Sequence, residues 1–202
     1  MSPLSQTSIL FADLPLGEAH SGGSLKTLAV ERGYFGAANT NALKLQALLV
    51  KKGGVVQRTA THAYDTAGRL AGVTADTGAS ATYGYLADSP LWQTLTFKQG
   101  ATTRLTTTRG FDRLNRLQTT ASVPGGASSA SPLGVNYLYN AANQRVRATD
   151  ADGSHWVYEY DALGQVKGGR KFWADGTPVA GQQFTYVHDD ICPVREEALA
   201  AP

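Results

Sequence analysis

From residue 55 onward apolar and polar residues alternate with a period of two, the pattern of strands with one sheltered face. Residues 91–100 set Leu91, Gln93, Leu95 and Phe97 on one side and Trp92, Thr94, Thr96 and Lys98 on the other. Residues 104–111, RLTTTRGF, continue in the same style, and the abundant Thr, Val and aromatic residues suit a pleated surface. RVRATDADGSHWVYEYD (145–161) predicts a hairpin: two alternating runs flank Asp152-Gly153, a pair suited to the positive φ angles of a tight turn. A second hairpin is predicted at Asp175-Gly176. Residues 122–134, SVPGGASSASPLG, form a low-complexity loop. Beyond residue 52 there is no amphipathic helix longer than two or three turns.

The start of the chain is less regular. Gly17, Gly22, Gly23, Gly33 and Gly36 interrupt any period over residues 1–36, and mobile structure is expected there. Residues 39–52 fit two readings. One is a helix capped by Asn39 or Asn41 and stopped at Gly53. The other is a strand that turns at residues 51–54 into a second strand, and Val55, Val56, Thr59 and Thr61 beyond the glycines favour it. The expected organisation is a poorly patterned segment over 1–42, a β-strip over 43–191 and a non-repeating tail over 192–202.

Composition narrows the picture. Leu, Val, Ile and Phe together number 42 of 202 residues, so a thin fold is expected. The net charge of +2 gives no field that would collect nucleic acid or an anionic membrane. Cys192 is the single cysteine, which excludes an internal disulfide or a cysteine-based zinc cluster. No apolar run approaches a membrane span. The opening MSPLSQTSILFADLPLG lacks a basic region and does not read as a signal peptide, and there is no Asn-x-Ser/Thr acceptor.

One motif recurs: an aromatic, Asp or Asn, two variable residues, Gly or Asn, Arg or Gln, and usually an aliphatic residue. It begins at Tyr64 (with Asp65, Gly68, Arg69, Leu70) and at Phe111 (with Asp112, Asn115, Arg116, Leu117). It returns at Tyr139 (with Asn140, Asn143, Gln144, Arg145) and at Tyr160 (with Asp161, Gly164, Gln165, Val166). Worn copies start at Tyr85 and His188, and successive starts lie 21 to 28 residues apart. The pattern is turn chemistry. The aromatic ends a strand, and the Asp or Asn accepts a backbone N–H two residues on. Gly or Asn in fifth place tolerates the left-handed conformation that reverses the chain into the next strand.

These residues resemble the Rhs, or YD-repeat, family over roughly residues 55–191. The resemblance implies an all-β fold, a strip of antiparallel hairpins forming part of a curved, solenoid-like β-shell. In full-length relatives such a shell encloses a toxin or other effector, in bacterial competition, insecticidal toxin complexes and at cell surfaces. It further implies a non-catalytic scaffold, secreted or at the cell surface. The implied partners are the remainder of a larger shell or its effector domain, and glycans, since carbohydrate binding is often attributed to the repeats. Relatives carry many more repeats and a shell-closing core segment. The ending CPVREEALAAP and the opening 36 residues match neither, so a short fragment of a larger gene is expected.

Candidate sites compete with ordinary structural roles. Trp156, Tyr158 and Tyr160 share strand parity and can stack on sugar rings, although packing on neighbouring hairpins is the usual role of such rows. The same weighing applies to Trp92 and Trp173. Arg104, Arg109, Arg113, Arg116, Arg145 and Arg147 cluster modestly, as on a solvated sheet face rather than a nucleic-acid surface. His20, His62, His155 and His188 have no metal-ligand spacing. Asp150, Asp152, Glu159 and Asp161 contain the two carboxylates glycoside hydrolysis needs, but Asp152 and Asp161 sit at turns that already explain them. No catalytic, cofactor or metal residue is assigned.

Overall fold

The computed structural model describes residues 17–19, 27–126 and 130–188 and the backbone of residues 195–198. His20, Cys192 and the rest of the worn copy after His188 lie outside the described residues. Two compact units are present, Met1–Thr106 with Gly125–Ala127, and Thr107–Pro124 with Ser128–Pro202.

The first unit holds β1 (Gly17–Ala19), β2 (Leu28–Tyr34), β3 (Leu45–Lys52), β4 (Val55–Tyr64), β5 (Leu70–Ala75), β6 (Ala79–Tyr85) and β7 (Trp92–Gln99). Strand β8 (Thr102–Phe111) runs across the boundary. The second unit holds β9 (Leu117–Pro124), β10 (Leu133–Tyr139), β11 (Arg145–Asp150), β12 (His155–Tyr160), β13 (Val166–Phe172), β14 (Pro178–Val187) and β15 (Arg195–Ala198). In each unit the strands lie side by side in chain order, paired antiparallel, and no helix occurs among the described residues. The all-β strip of hairpins expected from the sequence is therefore the observed architecture.

One expectation for the start of the chain is corrected, and the favoured strand-turn-strand reading of residues 39–52 is the observed one. Within residues 1–36, expected to be mobile, β2 forms a seven-residue strand paired to β3 from Leu28↔Lys52 to Tyr34↔Leu45. The helix reading of residues 39–52 fails: residues 37–43 are turn, and β3 turns at Gly53-Gly54 into β4. The low-complexity loop is also shorter than its composition suggested, because β9 continues to Pro124 and β10 starts at Leu133.

Almost nothing is fully buried among the described residues. Among the described residues the buried hydrophobics are Ala148 and Val179, and Ser154 is the one buried polar residue. The register shows how the thin sheet is built. In the first unit one face carries Thr61, Thr74 and Ser80 in one row and Ala63, Gly72, Thr82 and Thr96 in the next. The opposite face carries His62, Val73, Ala81 and Phe97. In the second unit Tyr158, Gly169 and Phe184 form one cross-strand row, and Leu138, Arg147, Val157, Arg170 and Gln183 form another on the reverse face. Backbone ladders and cross-strand side-chain pairs, rather than a central core, hold such a sheet together.

Candidate functional site

The residues with the richest contacts are those of the repeated motif. At Tyr64 the turn is closed by two backbone bonds, Gly68 N–H to the Asp65 carbonyl and Asp65 N–H to the Arg69 carbonyl, both 2.9 Å. The same pair recurs at Asp112, Asn140 and Asp161, and the fifth residue is left-handed each time: Gly68 (φ 76°), Asn115 (60°), Asn143 (62°) and Gly164 (83°). The second residue caps the turn. Asp112 Oδ1 accepts from the Leu114 and Arg116 N–H groups, and Asp161 Oδ1 from those of Leu163 and Gln165. Asp65 and Asn140 accept from the sixth-residue N–H in the same way. The sixth residue answers with its side chain: Arg69 Nε donates to Asp65 Oδ2 at 2.8 Å and Arg116 Nε to Asp112 Oδ2 at 2.6 Å.

These bonds depress Asp65 and Asp112. The Arg69 backbone N–H holds Asp65 below the ordinary carboxylate value, and its guanidinium adds to the effect. At Asp112 desolvation pushes upward but is outweighed by the Arg116 backbone and guanidinium donors. Charged acceptors that bind several N–H groups are stable as anions, so these turns work with ionised carboxylates.

A second set of contacts runs from one repeat to the next. A carbonyl at the start of a strand is costly to leave unpaired. The seventh-position carbonyl accepts from the first residue of the next repeat, except at Phe111, which has no hydroxyl. Tyr64 donates its hydroxyl to Leu45, Tyr85 to Leu70, Tyr139 to Leu117 and Tyr160 to Arg145, at 2.7 to 3.0 Å. His188 plays the same part, its Nε2 lying 2.9 Å from the Val166 carbonyl, so the worn copy still keeps the rule. The sixth residue reaches forward as well. Lys44, Arg69 and Arg116 lie over the rings of Tyr64, Tyr85 and Tyr139 at 5.1, 4.4 and 4.6 Å. Each then bonds the fifth residue of that next repeat: Lys44 the Gly68 carbonyl, Arg69 the Ser89 carbonyl and Arg116 the Asn143 side chain. Gly68 is needed for this contact too, because a Cβ there would meet Lys44 Nζ.

Sequence reasoning missed one copy. Tyr34 ends β2, Leu43 takes φ 65°, the Phe35 N–H bonds the Lys44 carbonyl and the Leu43 N–H the Phe35 carbonyl. This is the motif with residues 36–42 standing in place of its two variable residues, and only Tyr34 and Leu45 fit the pattern in the sequence. The copy at Tyr85 is real but lengthened: Ser89 N–H bonds Leu86, Leu86 N–H bonds Leu91, and Asp88 is left-handed at φ 53°.

The aromatic row has a different membership from the one its parity suggested. Trp156 and Tyr158 are joined by Phe184 and Tyr186 of β14, with ring centroids 6.1 to 6.5 Å apart and planes within 24°. A register shift between Glu159 and Tyr160 removes Tyr160 from the pattern, and its hydroxyl serves the Arg145 carbonyl instead. Trp156, Tyr158 and Tyr186 lean over the buried Gly169, and the four rings with Val166 line a shallow hollow of about 230 Å³. Desolvation there raises the Tyr158 pKa.

The other candidates are taken up structurally. Arg145 covers the Tyr137 ring at 4.0 Å, Arg147 donates to Thr149, and Arg170 pairs with Glu159 at 2.8 Å. Asp150 faces Ser154 and, at 3.6 Å, Lys171, while Asp152 is held by the Ser154 hydroxyl and N–H. His155 stacks on Phe172 at 5.5 Å. Among the described residues no three His, Cys, Asp or Glu side chains gather as metal ligands, and no helix is long and apolar enough to cross a membrane.

Comparison with known proteins agrees with the repeat reading. Residues 139–168 match the RHS Repeat family. No curated protein matches. Solved structures that resemble the chain include TcdB2-TccC3-Cdc42 (12% identity, 86% of this chain and 13% of that one, TM-score 0.33). TcdB2-TccC3 is similar at 12% identity over 88% of this chain and 13% of that one, TM-score 0.34. TcdB2-TccC3-TEV is similar at 12% identity over 92% and 15%, TM-score 0.33. The chain thus spans a small part, 13 to 15%, of the length of those structures.

Proposed function

We propose, from the premise that this chain carries RHS repeats, that it is a non-catalytic scaffold: a stretch of β-wall that encloses or presents an effector belonging to a larger shell. The observation that carries this reading is the use made of the motif. Its Tyr, Asp and Arg side chains bind backbone groups and neighbouring repeats, at Leu45, Leu70, Leu117 and Arg145 for the hydroxyls and at Gly68, Ser89 and Asn143 for the cations. The four carboxylates weighed as a catalytic pair are engaged by turn N–H groups, by Arg170 or by Lys171. A wall of stitched repeats grows by adding copies, and its shape shields whatever lies behind it.

The direct test is protease protection. The chain is produced together with its adjoining coding sequence and digested. Protection of the adjoining domain, lost when Asp65→Ala and Asp112→Ala are combined, supports the wall. Equal digestion of wild type and variant, with the variant chain folded, contradicts it. A glycan-binding role for Trp156 and its neighbours predicts quenching of tryptophan fluorescence by oligosaccharides, abolished in Trp156→Ala; the wall reading predicts no change on titration.

A further inference from the structure

The joints between repeats are unequal, and we infer that the strip has a built-in order of opening, in which the turn over residues 160–165 releases before those over 64–69 and 139–144. Lys44, Arg69 and Arg116 each place a cation over the tyrosine of the following repeat and bond its fifth residue. The next joint has Gln144 in that place. Its side chain reaches the same spot, Nε2 lying 3.2 Å from where a Cβ on Gly164 would stand. But its Oε1 is held back by Asn140 Nδ2 at 2.7 Å, and a neutral amide offers the Tyr160 ring no cation.

The turn it should hold is correspondingly bare. The Asp161 caps to Leu163 and Gln165 are both exposed; the Asp65 and Asp112 caps to Arg69 and Arg116 are half-buried, while the Asp112 cap to Leu114 is exposed like that to Leu163. Leu163 at its tip is 85% exposed. Its tie to the preceding repeat is the Tyr160 hydroxyl on Arg145, also exposed. Local opening starts where buried contacts are few and backbone bonds face water. Substituting one side chain therefore makes this joint weaker than those closed by Lys44, Arg69 and Arg116, and the device holds whatever the wall encloses.

Hydrogen exchange on the full chain tests this, read at the amides of Gly68, Asn115, Asn143 and Gly164. Each of these donates to the second-position carbonyl of its own turn. Gly164 is expected to be less protected than Asn143, by roughly two- to fivefold, the range of an exposed cation–π contact. Gln144→Arg should restore protection at Gly164, and Arg116→Gln should lower it at Asn143 while leaving Gly68 unchanged. Equal protection at Gly164 and Asn143 in wild type overturns the inference. So does an Arg116→Gln effect confined to its own turn at Asn115, which decides the matter even if Gln144→Arg fails to fold.

Discussion

Two turns of the second unit have nearly the same backbone and very different connections. Around Asp112 the Asn115 N–H bonds the Asp112 carbonyl and the Asp112 N–H bonds Arg116. Around Trp173 the Gly176 N–H bonds the Trp173 carbonyl and the Trp173 N–H bonds Thr177. A left-handed residue completes each, Asn115 at φ 60° and Gly176 at 87°. The second turn is capped by Asp175, which accepts from the N–H and hydroxyl of Thr177 and reaches no further. The first is capped by Asp112, whose partner Arg116 continues to Tyr139 and Asn143. The turn at residues 150–154 follows the self-contained pattern, Asp152 serving Ser154. Reversing the chain thus takes only an acid and a glycine. The tyrosine hydroxyl serves the neighbouring repeat, and the arginine serves both its own aspartate and that neighbour.

The comparison can be broken by substitution. Asp112→Ala should have the largest effect, because it strips acceptors from Leu114 and Arg116 and frees the guanidinium that reaches Asn143. A fall in melting temperature of roughly 5 °C is expected, with exchange accelerated in the Asn143 turn as well. Tyr139→Phe deletes only the hydroxyl and leaves the Leu117 carbonyl without its donor. Denaturant unfolding should show a loss of about 1 kcal/mol. Asp175→Ala should lower the melting temperature by roughly 2 °C or less, with exchange changes limited to residues 173–177. A loss at Asp175 matching that at Asp112, or spreading as far, would erase the distinction.

Acid provides a gentler probe. Asp65 and Asp112 are lowered from 3.8, by the Arg69 backbone N–H in the first case and, against desolvation, by the Arg116 donors in the second. A carboxyl depressed on folding adds stability above its unfolded value, and that stability is lost as pH falls through the folded value. Melting temperature should therefore drop below about pH 4, and less steeply in Asp112→Asn. Asp152 and Asp175, lowered by Ser154 and Thr177 donors, leave a residual dependence.

Much of this was readable along the chain because it is local. A period of two gave the strands, and Asp or Asn followed by Gly or Asn at fixed spacing gave the turns, since each Asx bond spans only two to four residues. The copy at Tyr34 was hidden because residues 36–42 separate its halves. The forward reach of Lys44, Arg69 and Arg116 was hidden because its partners lie 20 to 27 residues away. The aromatic row was misdrawn for a related reason: the shift before Tyr160 and the glycine between β12 and β14 are properties of pairing, not of spacing. The Asp152-Gly153 turn was placed correctly, but only Gly153 adopts positive φ, so it is a wider turn than a two-residue one.

Coupling between consecutive repeats is measured most directly by a double-mutant cycle on Arg116 and Tyr139, whose groups meet at 4.6 Å. With Arg116→Met and Tyr139→Leu, singly and together, unfolding free energies should show a favourable interaction of about 0.5–1 kcal/mol. Strictly additive losses would mean that the two side chains act separately, and that the motif folds each turn without binding it to the next.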